Sequence, residues 1–281
     1  MKVTVLGSGT SHGIPVVGCG CPVCASDDPR DKRMRSSIYI EGSGGECILI
    51  DAGPEFRLQA LRAGIRHLDA ILLTHAHADH IHGLDDVRPL SREQPIPVYG
   101  NEQTITEMEE RFSYIFGTKW GKAQQGGGKP RLSPRIADSS ASSKPVRIGG
   151  LSAAPVPVKH GILDILGWEL QESNCAKSLL YLTDTSAIPP SSLSQLLSEN
   201  SRLSRVIIIG GLRKKPHETH FSFDEALNAA LGLGSESIYL THICHEHSHE
   251  EIEQICLAFR ESRRQEKMEI HPARDGLELV V

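Results

Sequence analysis

The sequence predicts an α/β protein, and three observations predict it. Short apolar runs at 3–6, 70–73 and 206–210 have the length and composition of buried strands. Segments of helical spacing, at 102–112, 223–231 and 249–260, alternate with such runs along the chain. Several runs lead into a potential metal ligand, at His75, His160, Asp184 and His242, which gathers polar chemistry at strand ends. With 281 residues and 39% hydrophobic composition the chain can bury a substantial core, read here as a single domain over 1–281.

The first strand, 3–6, runs into Gly7-Ser8-Gly9-Thr10-Ser11-His12-Gly13. No helical pattern follows, so this glycine-rich loop is not a dinucleotide fingerprint. Next comes the knuckle Cys19-Gly20-Cys21-Pro22-Val23-Cys24, then a basic run at 30–35. That run reads as solvated surface, with contact to a substrate phosphate as the alternative. Strands follow at 37–41 and 47–51, separated by the turn-forming 42–45. Asp51 ends the second, before a helix that runs to about Gly64; it is either a ligand or an acceptor that orients a ligand histidine. After the strand at 70–73, helix is expected at 84–90, strand at 96–99 and helix at 102–112. The stretch 117–150 is glycine- and serine-rich and basic, and reads as an insertion or a long flexible loop. Strands are expected at 153–158, 163–170, 178–183, 206–210 and 238–241, and an edge strand at 276–281. Helices fall at 193–199, at 223–231 with Ser222 as its cap, and at 249–260. No internal repeat is present at solenoid periods.

Charge and cysteine usage exclude several classes. A formal net charge of -5 argues against a protein that coats nucleic acid through bulk charge. The N-terminal segment reads as a strand rather than a signal peptide, and the longest apolar run falls far short of the ~20 residues that span a bilayer. The expectation is a soluble cytoplasmic protein with no membrane partner. The seven cysteines, an odd number with three bunched together, do not suit a disulfide framework.

Histidine carries the chemistry. Of the fourteen in the chain, three stand with an aspartate in His75-Ala76-His77-Ala78-Asp79-His80. On extended backbone alternate side chains share a face, so His75, His77 and Asp79 can converge on one point. A turn into a helix would swing His80 to a neighbouring point, which suits two adjacent divalent ions. Cys19, Cys21 and Cys24 can occupy three corners of a tetrahedron around zinc, with the fourth ligand supplied from elsewhere.

His75-x-His77-x-Asp79-His80, together with His160, Asp184 and His242 in that order, resembles the metallo-β-lactamase superfamily. The resemblance spans essentially the whole chain. It implies a four-layer αββα sandwich of two mixed sheets, the metallo-β-lactamase fold, with the site at one sheet edge. It also implies that His75, His77 and His160 hold one catalytic metal, that Asp79, His80 and His242 hold a second, and that Asp184 bridges them. Zinc or manganese suits such ligands. Within the superfamily, Cys19-x-Cys21-x2-Cys24 with His245 resembles the branch containing the cyclic-phosphate phosphodiesterase of the carbon–phosphorus lyase pathway. That likeness implies a structural zinc held by Cys19, Cys21, Cys24 and His245, and a general-acid role for His220, with His217 as the lesser candidate. The knuckle also occurs in the pyrroloquinoline quinone biosynthesis protein B.

The resulting expectation is a binuclear metal-dependent phosphodiesterase. Asp79 and Asp184 anchor the metals, a metal-bridging hydroxide attacks phosphorus, and His220 protonates the leaving alkoxide. The substrate expected is a small cyclic or nucleotide-like phosphodiester. The alternatives are a thioesterase, a lactonase or an RNA-processing nuclease on the same metals, or a non-catalytic cofactor-biosynthesis protein. A homodimer is left open, and His12 and the 117–150 insertion fit no pattern.

Overall fold

Ile38 and Ile40 pack to one side of their strand and Tyr39 to the other, and all three are buried. The same holds where Leu179 and Tyr181 face one apolar layer and Leu180 and Leu182 another. Strands apolar on both faces need cover on both faces, and the architecture supplies it. The computed structural model describes residues 1–117, 128–137, 144–173, 175–198, 204–265 and 267–281.

One sheet holds β1 (Lys2–Gly7), β2 (Ser37–Glu41), β3 (Cys47–Ile50), β4 (Ala70–Leu72), β5 (Ile96–Gly100) and β6 (Leu132–Ile136) in that spatial order. The other holds β7 (Val146–Ile148), β8 (Leu151–His160), β9 (Leu163–Glu172), β10 (Lys177–Leu182), β11 (Ser204–Gly210), β12 (Ser235–Thr241) and β13 (Glu269–Pro272). The last strand, β14 (Glu278–Val280), crosses back to flank β1, with Val3 opposite Leu279. Both sheets are mixed: β3 to β6 and β10 to β13 pair in parallel, and β1 to β3 and β7 to β10 antiparallel. Between the sheets lies a core that includes Val5, Ile48, Leu72, Trp168 and Ile208. Outside the first sheet, a second core joins Leu49 and Val98 to Phe56, Ile105 and Met108 of its covering helices. Outside the other, a third joins Ile207 and Leu240 to Phe223, Leu227, Ile252 and Phe259. The layers are thus helix, sheet, sheet, helix, as the resemblance implied.

Three expectations change. The 117–150 stretch is not all loop: its described residues supply β6, which extends the first sheet beyond β5, and β7, which extends the second beyond β8. The remainder, including Lys119, Lys122, Gly126 and Ser139, lies outside the described residues. Residues Leu84–Ser91 form 3-10 turns rather than an α-helix, and Pro89 within them lacks the N–H that an α-helix needs. The basic run is only partly solvated. Arg33 is buried, and its Nη1 donates to Ser8 Oγ at 2.8 Å and to Ala273 O at 2.5 Å. No helix among the described residues is long and apolar enough to cross a membrane.

Candidate metal centre

The site starts where β4 ends. Thr74 donates its backbone N–H to Asp51 Oδ1 at 2.9 Å and its hydroxyl to Asp51 Oδ2 at 2.8 Å. The second sheet grips the same point: Trp168 Nε1–H donates to Leu73 O at 3.1 Å, and Leu166 N–H to Thr74 O at 3.0 Å. From this fixed end the chain carries His75 and reaches His77, which has extended backbone and stands at the N-terminal boundary of the short helix Ala78–Ile81 that carries Asp79 and His80. Two glycines allow that helix to seat. A Cβ on Gly53 would stand 2.2 Å from Asp79 O, and one on Gly83 would stand 2.1 Å from Gly53 O.

The other ligand candidates arrive at strand ends of the second sheet. His160 closes β8, and Asp184 and His242 follow β10 and β12. Asp51, Asp184 and His242 all have left-handed backbone, with φ of 61°, 53° and 55°. For non-glycine residues this costs on the order of 1–3 kcal/mol each, which the surrounding sheets offset.

The side chains form two adjoining groups. His75 Nε2 and His77 Nδ1 approach to 2.9 Å, and with His160 their ligand atoms all lie within 4.8 Å. Asp79, His80, Asp184 and His242 form the second group, all buried, and Asp184 is also within reach of His160 and His220. His80 Nε2 stands 3.2 Å from both Asp79 Oδ2 and Asp184 Oδ2, and His242 Nε2 3.1 Å from Asp184 Oδ1. Neither Nε2 makes a hydrogen bond, although both are buried. Orphaned ring nitrogens aimed among carboxylates are what divalent cations bind, so the residues present fit a metal pair.

Neighbouring groups set the ring orientations. Asp51 Oδ2 lies 2.7 Å from His80 Nδ1, and His160 Nδ1–H donates to Thr219 O at 2.7 Å, leaving each Nε2 free to bind. Of the two readings for Asp51, the structure therefore favours the orienting one. Burial opposes charge on His80, but Asp79, Asp184 and Asp51 outweigh it and push its pKa well above the ordinary range, so a bound cation would take the place of the proton at Nε2. Burial likewise opposes charge on Asp184, and His242 and His80 outweigh it, holding the carboxyl well below its usual range. Three carboxylates thus surround a point that favours positive charge.

His220 stands over this centre on the loop after β11. Its ring lies 4.6 Å from that of His160 and 4.8 Å from that of His242, with Nδ1 3.8 Å from Asp184 Oδ1. Burial, reinforced by His242, pushes its pKa down to about 3. His217 lies one ring further out, 5.2 Å from His220.

Apart from this centre, Cys19, Cys21 and Cys24 each place Sγ 3.4 Å from His245 Nδ1. Around tetrahedral zinc, bond lengths of ~2.3 Å to sulfur and ~2.05 Å to nitrogen separate the two by about 3.6 Å. The four side chains fit an enclosed zinc with no open position.

A family profile described as the beta-lactamase superfamily domain matches residues 46–243. The chain belongs to the beta-lactamase superfamily. Among solved superfamily structures, a diphosphatase from the PhnP family superposes with a TM-score of 0.80 at 38% identity, covering 100% of this chain and 97% of that one. Zinc-bound PqqB from Methylobacterium extorquens superposes with a TM-score of 0.75 at 18% identity, covering 100% of each chain, which bears on the fold alone. In sequence, the whole chain is 35% identical over 282 residues to an octanoyltransferase of Porphyromonas gingivalis. It spans only about half of that curated relative, 52% of its length.

Apart from Asp51, every ligand candidate read from the sequence lies in one of these clusters, but Asp79 groups with His80 rather than with His75 and His77, because the helix Ala78–Ile81 already begins before it. His12 is exposed and stands in none of them. Sequence reading missed Thr74, whose hydroxyl lies 3.0 Å from His75 Nδ1, and Thr219, whose carbonyl accepts from His160 Nδ1. Thr74 could have been found by its place directly before His75; Thr219 acts through its backbone, which leaves no sequence signal.

Proposed function

We propose that this chain is a metal-dependent phosphodiesterase acting on a small cyclic or nucleotide-like phosphodiester. One observation carries the reading: His220 overhangs a cluster of seven ligands whose buried Nε2 atoms, at His80 and His242, lack any hydrogen-bond partner. Likeness to a PhnP-family diphosphatase over the full chain supports it. His75, His77 and His160 would hold one cation, Asp79, His80 and His242 a second, and Asp184 would bridge them. When bound, two such cations supply a water of lowered pKa and neutralise charge on phosphoryl oxygens. Zinc or manganese fits the pair, and a structural zinc fits Cys19, Cys21, Cys24 and His245.

The chain's own residues do the rest. Asp51 and Thr219 keep His80 and His160 turned with Nε2 toward the centre. His220, neutral in the free site, faces the place where an anionic substrate would sit. That anion favours the imidazolium, the form able to donate a proton to a leaving alkoxide. His220→Ala is expected to lower turnover of a 2′,3′-cyclic nucleotide by about 10²–10⁴-fold. Metal content by elemental analysis should stay at roughly three per chain, two catalytic and one structural. Full activity in that variant would remove the acid role, and two metals per chain, one of them lost in Cys21→Ser, would remove the binuclear reading.

The octanoyltransferase match supports a second reading, hydrolysis of a medium-chain acyl thioester on the same centre. That relative's name covers a chain twice as long, and the cluster here contains only histidine and aspartate, with no acyl-accepting thiol or amine. Side-by-side turnover of a cyclic nucleotide, bis(p-nitrophenyl) phosphate, an octanoyl thioester and a lactone separates the two. Preference for the thioester would overturn the phosphodiesterase reading.

A further inference from the structure

The loop that carries His220 is tethered at its two ends. At its base Leu212 N–H donates to Phe221 O at 2.9 Å, and Phe223 N–H to Arg213 O at 2.9 Å. At its tip Thr219 O is held by His160. Among the described residues, no backbone–backbone hydrogen bond involves 214–218. Two side chains grip this span: His217 Nδ1 accepts from Thr219 N–H at 3.3 Å, and Arg213 reaches it from the base of the loop. Arg213 Nη2 donates to Pro216 O at 3.4 Å, and its Nη1 donates to Glu246 Oε1 at 2.8 Å. Glu246 directly follows His245, the histidine of the cysteine knuckle, and Cys244 N–H donates to Leu212 O at 3.0 Å just before it. A continuous path therefore runs from the knuckle through Glu246 and Arg213 to the His220 loop.

We propose that Arg213 is a positioning residue: braced by Glu246 against the knuckle, it sets the loop that holds His220 over the metal centre. The inference rests on the proton-donor reading of His220. Arg213 and Glu246 side chains are 29% and 35% exposed, and an ion pair that open adds little to overall stability. Its loss should therefore register in where His220 sits rather than in whether the chain folds. The two fixed nitrogens of a guanidinium can hold a carboxylate and a carbonyl at once, which one ammonium point charge reproduces only in part.

Leaving-group dependence tests this. A proton donor matters for an alkoxide leaving group and little for p-nitrophenolate, which departs without one. Arg213→Ala and Glu246→Gln are each expected to lower kcat on a 2′,3′-cyclic nucleotide by about 10- to 100-fold, the scale of a small misplacement. On bis(p-nitrophenyl) phosphate the fall should be much smaller. Metal content should equal that of the parent protein, Arg213→Lys should recover part of the loss, and adding Arg213→Ala to His220→Ala should cost nothing further. Should His220→Ala be leaving-group selective while Arg213→Ala falls equally on both substrates, or on neither, the positioning role is overturned and the proton-donor reading stands. Loss of metal from Arg213→Ala overturns it as well. If His220→Ala itself shows no selectivity, the proton-donor reading falls and takes the inference with it.

Discussion

His249 opens the helix His249–Ser262, where its Nδ1 accepts from Arg33 Nη2 at 3.1 Å and its backbone N–H donates to Asp31 Oδ1 at 2.6 Å. Accepting from a guanidinium requires the neutral ring. Burial, with the charge of Arg33 added, lowers its pKa to about 4. In the unfolded chain a histidine binds its proton near pH ~6.5. Between about pH 6.5 and about 4 the unfolded state therefore holds more protons at this position, and stability falls as pH drops through that window. His249→Gln should show a flatter loss of Tm from pH 7 to pH 4 than the parent; parallel curves would dismiss the assignment. Residues of this kind mark the limit of sequence reading. His75, His77, Asp79 and His80 were legible because chemistry and spacing sit in one short stretch. The partners of His249, like Thr219 beneath His160 at a separation of 59 residues, are brought in by the fold alone.

The junction between the Asp51–Gly53 turn and the helix Ala78–Ile81 works by close approach of backbone to backbone. Ala52 N–H donates to His80 O at 2.7 Å, and Gly83 N–H to Ala52 O at 2.8 Å. A methyl group at Gly53 would strike the carbonyl of Asp79, and backbone cannot swing aside as a flexible side chain can. Gly53→Ala should therefore displace Asp79 and His80 together, reduce metal bound at the catalytic pair, and cut activity by about 10²-fold. Its far-ultraviolet circular dichroism should stay close to that of the parent. Retained metal with full activity would show that the junction yields. Among the elements, long apolar runs such as β11 and β12 were legible from composition. β6 and β7 were not, because each closes one sheet edge, pairs on one side only, and lies in a glycine- and serine-rich stretch. β13 was missed for a related reason: only four residues long, it is held as a strand by its parallel register with β12.

Across the whole molecule, strand and helix order was readable, but the choice of partner strands was not, since alternation of apolar residues does not say which edge meets which. The layered sandwich came from the resemblance, and the family match bears it out. The knuckle adds a constraint at this scale. Cys19 and His245 are separated by 226 residues, so a zinc shared between them would close most of the chain into one loop. Stripping metal with a chelator is expected to lower Tm by several degrees or more, since a ligand bound only by the folded state at ~1,000 times its Kd contributes about 4 kcal/mol. Cys21→Ser should lose one metal per chain, keep the catalytic pair, and lower both Tm and activity, because His245 lies three residues after His242. A variant as stable and active as the parent would separate the knuckle from the centre.

The indole of Trp168 lies fully buried between the sheets, bonded to the carbonyl just before Thr74 and His75. Its emission is expected to shift when cations enter the adjoining cluster, because their charge acts on that carbonyl. An unchanged spectrum across a metal titration would dismiss the indole as a gauge of loading. The second tryptophan, Trp120, lies outside the described residues and can be changed to phenylalanine, so that fluorescence during a metal titration reports from beneath the site alone.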